Sequence, residues 1–239
     1  MVRCLALAVA LQLSVGLAFA QSPDEDRPEP LVCKPAGPAP FAVVIWNHGL
    51  VRDAATFANA QRGWRNMCEA LAAEGYLAYI PIRRFVRNLG PADISREADE
   101  LSKAVNTIIA MPDVDRAKVA MMGHSRGATL SLMVAAHRRD FAAVILTAPA
   151  PIPSRFLGDT LDRVRTMPGP VLLMVENGDE LGALPATLEI DERLKRRSHD
   201  DHRLFRYDRG GGHFLFIRKD YWWDDLRVFL DEKLKRPEK

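Results

Sequence analysis

The sequence predicts an α/β protein: a doubly wound, mostly parallel sheet with helices on both faces, a three-layer sandwich without a large lid. Three observations carry this. Short apolar runs alternate with longer amphipathic stretches along the chain from Ala42 onward, the rhythm of βαβ units joined by right-handed crossovers. Most of the short runs are apolar throughout rather than alternating, as in parallel strands covered on both faces. The pentapeptide Gly123-His124-Ser125-Arg126-Gly127 stands between one such run, Lys118 to Met122, and a small-residue helical stretch, Ala128 to His137.

Taken in order, the strand candidates are Ala42 to Trp46, Tyr76 to Pro81, Lys118 to Met122, Ala142 to Thr147, Val171 to Glu176 and Arg203 to Tyr207. The last mixes polar and apolar residues, which puts it nearer a sheet edge. Between the strands, Ile94, Ala98, Leu101, Val105 and Ile108 recur at steps of three and four, one apolar helical face. Trp223, Leu226, Leu230 and Leu234 repeat the pattern in a final helix. Ala148 to Gly169 is proline-rich and holds one short helical stretch, Phe156 to Met167. A segment that short does not encode a large lid.

The N-terminus has the pattern of an export signal, with Arg3, an apolar stretch from Leu5 to Phe19, and Ala18-Phe19-Ala20 as a small-x-small cleavage site. This divides the chain into a signal peptide (1–20), a flexible leader (21–30) and a single α/β domain (31–239). The rival reading is a membrane anchor, but Gln12 and Ser14 interrupt the run, which is shorter than the ~20 residues a spanning helix needs. The expectation is an exported protein, periplasmic or secreted, with no stable membrane span after signal removal. A net charge of +2, from 33 basic and 31 acidic residues, favours neither nucleic acid nor an anionic membrane. Cys4 falls in the signal, leaving Cys33 and Cys68 as the pair that could bond in an oxidising compartment, tying an N-terminal strand to the first helix. Two buried free thiols are the alternative, since Cys68 shares a helical face with Trp64 and Leu71.

A strand, a tight turn and a helix around Gly-x-Ser-x-Gly are the context of a nucleophile elbow, in which Ser125 sits at the tip and Gly123 and Gly127 keep strand and helix close. A serine hydroxyl becomes a nucleophile only when a base removes its proton and a third group orients that base. His213, after Gly210-Gly211-Gly212 and the last strand candidate, is the expected base. Asp179, on a turn past the strand Val171 to Glu176, is the expected acid. Glu176 is the fallback, and the competing role of Asp179 is to cap the turn before Leu181. His124 lies within the elbow and is expected to point away from the substrate. His137 ends a helix, His48 belongs to an early turn, and His199 and His202 fall in a charged connection. Two backbone donors for a developing oxyanion are expected at Arg126, after the nucleophile, and at Leu50, in the turn Asn47-His48-Gly49-Leu50. His48, Arg83 and Arg84 are candidate substrate contacts. Arg83, Arg84 and Arg126 could clamp an acidic group, with solvent-facing side chains as the alternative.

At this point the sequence resembles the α/β-hydrolase superfamily, and within it the lidless dienelactone-hydrolase-like and prolyl-oligopeptidase-like branch. The matching stretches are Val43 to Gly49, Glu74-Gly75-Tyr76, Pro112 to Asp115 leading into Lys118 to Met122, Gly123 to Gly127, Leu172 to Asp179, and Gly211-Gly212-His213. The resemblance implies a reaction type more than a substrate. Three departures stand out. The nucleophile is Ser rather than the Cys of true dienelactone hydrolases, Ala128 replaces a frequent Gly, and Ile82-Arg83-Arg84-Phe85-Val86-Arg87 replaces a shorter turn at the pocket wall. The combined expectation is a serine esterase or lactonase acting on a small-molecule ester, with no metal or organic cofactor signalled by the sequence. The rivals are a small serine peptidase and a catalytically silent exported binding protein.

Overall fold

A computed structural model of the chain describes residues 28–83, 90–196 and 201–235. The expected signal (1–20), most of the expected leader (21–30) and Arg84 lie outside the described residues. Among the described residues the sheet has seven strands: β1 (Leu31–Cys33), β2 (Phe41–Asn47), β3 (Leu77–Ile80), β4 (Val114–His124), β5 (Ala143–Thr147), β6 (Val171–Glu176) and β7 (His202–Tyr207), in the order β1-β3-β2-β4-β5-β6-β7. All neighbours pair parallel except β1, which runs antiparallel to β3 at the edge. Six strands fall where the sequence predicts them. β1 is absent from that set because three residues are too few to show a period.

Helices α1 (Ala54–Ala73), α2 (Pro91–Ile109), α3 (Arg126–Ala136), α4 (Thr160–Arg163), α5 (Ala183–Leu194) and α6 (Trp223–Leu230) cover both faces. Alternation along each strand divides the core. On β2, Val43 and Ile45 pack with α2, α3 and α5, including Ile94, Leu101, Leu130 and Ile190. Val44 and Trp46 pack on the other side with α1 and α6, including Trp64, Leu71, Leu226 and Phe229. Strands buried on both faces must be apolar at every position, and β6 is wholly buried from Val171 to Glu176. α3 lies deepest, with every residue but Met133 buried, which explains its small and apolar sequence. The expected helix from Phe156 to Met167 is instead α4 flanked by two 3₁₀ turns, Ser154–Phe156 and Val164–Thr166, because Gly158 takes a left-handed conformation.

The strand ends that matter lie side by side. Asn47 pairs with Gly123, His124 with Thr147, and Glu176 with Tyr207. The carboxyl ends of β2, β4, β5 and β6 therefore open onto one crevice, where sheets of this kind bind ligands.

Cys33 and Cys68 are disulfide-bonded, with Cα atoms 5.6 Å apart, which fastens β1 to α1. Closing a loop of 35 residues removes unfolded-state entropy worth roughly 2–4 kcal/mol. Alkylation of the unreduced protein should therefore find neither residue labelled, and Cys33→Ser should lower the unfolding free energy in urea by about that amount.

Candidate active site

The site begins with backbone geometry. Ser125 stands between β4 and α3 with φ 54° and ψ −125°, a left-handed conformation that a non-glycine residue holds only when its surroundings enforce it. They do so through four backbone bonds: the Ser125 N–H donates to Thr147 O (3.0 Å), and the Ser125 carbonyl accepts from Ala128 N (2.9 Å), Thr129 N (3.2 Å) and Ala150 N (3.1 Å). The flanking glycines are required by contact. A Cβ on Gly123 would lie 2.4 Å from Gly127 O, and one on Gly127 would lie 2.2 Å from Asn47 O and 2.4 Å from His48 O. Gly127 thus brings α3 against the end of β2 as well as against its own strand. Asn47 closes the same seam by donating from Nδ2 to Ser131 Oγ at 2.8 Å.

The structure brings Ser125, His213 and Asp179 into one hydrogen-bonded chain. The Ser125 hydroxyl lies 2.8 Å from His213 Nε2, and His213 Nδ1 lies 2.7 Å from Asp179 Oδ2. A carboxylate can only accept, so Nδ1 carries the proton and Nε2 is left to accept from the serine. The side chains of His213 and Asp179 are buried, Asp179 fully, while Ser125 is half-buried. The two roles weighed for Asp179 are held at once: Oδ2 faces the imidazole while Oδ1 accepts from the N–H groups of Leu181 (3.0 Å) and Ala183 (3.1 Å). Glu176, the fallback acid, does not reach His213. Fully buried at the end of β6, it accepts from Arg209 N (2.6 Å), Gly211 N (3.1 Å) and the Tyr221 hydroxyl (2.9 Å), holding the loop that carries the imidazole. Glu180 adds an acceptor for His213 N at 2.9 Å. Gly212 has φ 61°, and a Cβ there would meet Glu180 Oε2 at 2.7 Å, so the glycine run is what lets this loop close on its carboxylates.

His124 does not point away from the crevice as expected. Its ring packs 5.0 Å from that of His213 and forms part of the cavity wall. Burial and the neighbouring His213 push it down to about 3, so it stays neutral beneath the base. His202 lies on β7 against Asp191 at 3.2 Å, and His199 lies outside the described residues.

Leu50 and Arg126 both line the cavity beside Ser125. Arg126 opens α3, and an amide in the first turn of a helix has no intrahelical acceptor, so its N–H is available to an oxygen held above the serine. The expected substrate contacts are placed differently. His48 does not line this cavity: it is buried, stacks on Trp64 at 4.1 Å, donates from Nδ1 to Gly49 O (2.7 Å) and accepts at Nε2 from the Arg83 N–H (3.0 Å). Burial and the Arg83 charge beside it hold its ring well below the ordinary imidazole range, against the opposing pull of the Gly49 bond. Arg83 is also buried away from the cavity, its guanidinium bonded to the carbonyls of His48 and Gly49. It braces the turn rather than contacting substrate, because those carbonyls and Glu97 surround its head group. Burial draws it down to about 10. Glu97 on α2 takes Arg126 Nε at 2.7 Å and faces Arg83 Nε at 3.6 Å, so neither arginine faces solvent. Glu97 was not anticipated, yet the sequence carries its signal. It sits three residues after Ile94 and four before Leu101, a charge within an apolar stripe, and such a charge must find a buried partner.

The cavity over Ser125 has a volume of about 600 Å³ and is mainly apolar, with α1 and the Leu50 turn on one side and Phe214 and Ile217 on another. The arrangement can deprotonate a serine hydroxyl against a bound carbonyl and present backbone amides to the resulting oxyanion.

Residues 31–221 match the dienelactone hydrolase family. The chain belongs to that family. No curated protein sequence matches it. Among solved structures, this dienelactone hydrolase family member is similar to Est1E from Butyrivibrio proteoclasticus, at 15% identity and TM-score 0.66, covering 87% of this chain and 94% of that one. It is similar to Thermogutta terrifontis esterase 2, at 20% identity and TM-score 0.65, covering 85% and 87%. Its likeness to Porphyromonas gingivalis dipeptidyl peptidase 4, at 18% identity and TM-score 0.66, covers 86% of this chain but spans only 33% of that one. At these identities the likenesses show the α/β-hydrolase fold that the family shares.

Two consequences are measurable. Gly127→Ala should cost more than about 3 kcal/mol because backbone atoms cannot yield as side chains do, seen as lost soluble yield or a collapsed melting temperature, whereas Ala128→Gly should cost about 1 kcal/mol. His124 titrates near 6.5 in the unfolded chain and about 3 when folded. Between those values the unfolded chain binds the extra proton, so this group makes stability fall as pH falls. His124→Gln should remove about 1.4 kcal/mol per pH unit from that decline, read from urea midpoints between pH 6 and pH 4.

Proposed function

We propose that this protein is an exported serine hydrolase that cleaves carboxylic ester bonds through an acyl-enzyme. The observation that carries the reading is the continuous chain from Ser125 Oγ through His213 to Asp179. His213 Nε2 takes the serine proton as Oγ attacks the ester carbonyl, and the Asp179 carboxylate stabilises the imidazolium that forms. The amides of Leu50 and Arg126 receive the oxyanion. Collapse of the tetrahedral intermediate breaks the bond to the leaving alkoxide, which takes the former serine proton from His213 and departs as the alcohol. Water then attacks the acyl-enzyme, giving its proton to the same imidazole, and the acid leaves as Ser125 recovers its hydrogen. One water is consumed, and one acid and one alcohol are released.

Export is part of the proposal, supported by the signal pattern in residues 1–20 and by the Cys33–Cys68 bond, a pairing suited to an oxidising compartment. The mature chain is expected to begin at Gln21, which N-terminal sequencing of the exported protein would check.

Purified protein should hydrolyse short p-nitrophenyl esters and take a fluorophosphonate label on Ser125. Ser125→Ala should lose both, with kcat down by 10⁴ or more on the order of other triad deletions. Asp179→Asn should lower kcat by roughly 10³–10⁴ while the protein still folds. Absence of both ester turnover and label defeats the proposal, and faster cleavage of aminoacyl-4-nitroanilides than of esters would reassign it to a peptidase.

A further inference from the structure

The crevice over Ser125 carries more information than its reactive groups. Residues 54–73 form one unbroken helix, α1, yet its middle holds Gly63. Glycine inside a helix costs stability relative to alanine, so its presence needs a cause. Neither of the usual ones applies: its φ is not in the left-handed region, and a Cβ there would find only Ile217 O, 4.0 Å away. Among the described residues, nothing stands where a Cβ would go. What lies over Gly63 is the cavity, whose wall it forms with Ala60 and Trp64.

A second observation points to the same place. Among the described residues, the exposed large apolar side chains include Phe214 (57% exposed), Leu181 (50%) and Ile217 (37%), and all three line this cavity. Exposed apolar groups gathered at one mouth mark a surface that buries something apolar. The charges fit a neutral occupant. Of the two arginines in the lining, Arg126 is paired with Glu97 below the floor, and Arg52 is exposed to solvent.

We infer that the substrate is a neutral ester carrying an aliphatic chain of several carbons, and that the empty space over Gly63 receives that chain under the lip formed by Leu181, Phe214 and Ile217. The inference rests on the ester-hydrolase reading above. Gly63 is then a specificity-determining residue: the missing side chain is the volume that the chain occupies. The reaction is unchanged, with one water consumed and the acid and alcohol released.

The test is a chain-length series on purified protein, p-nitrophenyl acetate through octanoate for the acyl side and ethyl through octyl acetate for the alcohol side, with an anionic p-nitrophenyl hemisuccinate for comparison. In one series kcat/KM should rise by up to about fourfold per added methylene until the cavity is filled, and the responding series identifies which side of the ester the chain belongs to. Gly63→Leu should lower the ratio of long-chain to acetyl activity at least tenfold. Gly63→Ala should lower it less, while melting at or above the wild-type temperature, which separates filled space from a damaged helix. A ratio unmoved by Gly63→Leu, a flat response in both series, or hemisuccinate turned over faster than any aliphatic ester would overturn the inference while leaving the ester-hydrolase reading intact. No turnover of any ester together with no label on Ser125 would instead remove the reading beneath it.

Discussion

The site depends on one steric constraint, the approach of Gly127 to the carbonyls of Asn47 and His48 at a distance that no Cβ could share. That contact sets α3 hard against the end of β2. It places the first amide of the helix and the Leu50 turn on the same cavity wall as Ser125. It also supports the left-handed backbone of Ser125, a conformation that would otherwise relax at a gain of order 1–3 kcal/mol. The sheet register brings Thr147 beside His124, where its carbonyl can take the serine N–H. Sequence, strand pairing and strain meet at a single turn.

Around it, carboxylates act as fasteners. Asp179 ties its own turn with one oxygen and orients the imidazole with the other. Glu176 gathers two amides and a tyrosine hydroxyl from the His213 loop. Each carboxylate sits on or just after β6, so the most thoroughly buried strand supports the most mobile-looking sequence, a run of three glycines. A loop of that composition would lose much conformational entropy on ordering. Charge-assisted bonds to fixed acceptors offset that loss.

Much of this was legible in the sequence because it follows from local pattern. Parallel strands buried on both faces cannot hide their composition, and the order of Ser125, Asp179 and His213 along the chain matches successive strand ends. What the sequence withheld was direction. Arg83 read as a pocket residue or a solvent-facing one and His48 as a pocket residue or part of a plain turn, since nothing local shows which way a side chain points from a loop, and both proved to be buried supports. His124 was misjudged for the same reason: alternation places it on the β4 face of Ala120 and Met122, and that is the face the His213 segment covers. β1 carries too few residues to register a period, and its place is fixed by pairing with β3 and by a covalent bond to α1. The competing roles of Asp179 could not be separated because they were never alternatives.

Arg83, Glu97 and Arg126 hold two cations and one anion together in the interior, one reaching the turn and the other the elbow. Losing Glu97 strands two buried cations, whereas losing one arginine leaves the other paired and replacing the whole cluster by apolar groups of matching volume is often tolerated. In evolutionary terms the three positions are one character. Descent with modification at this site should release Glu97 last, after both arginines, because epistasis blocks any route that removes the anion while a cation remains.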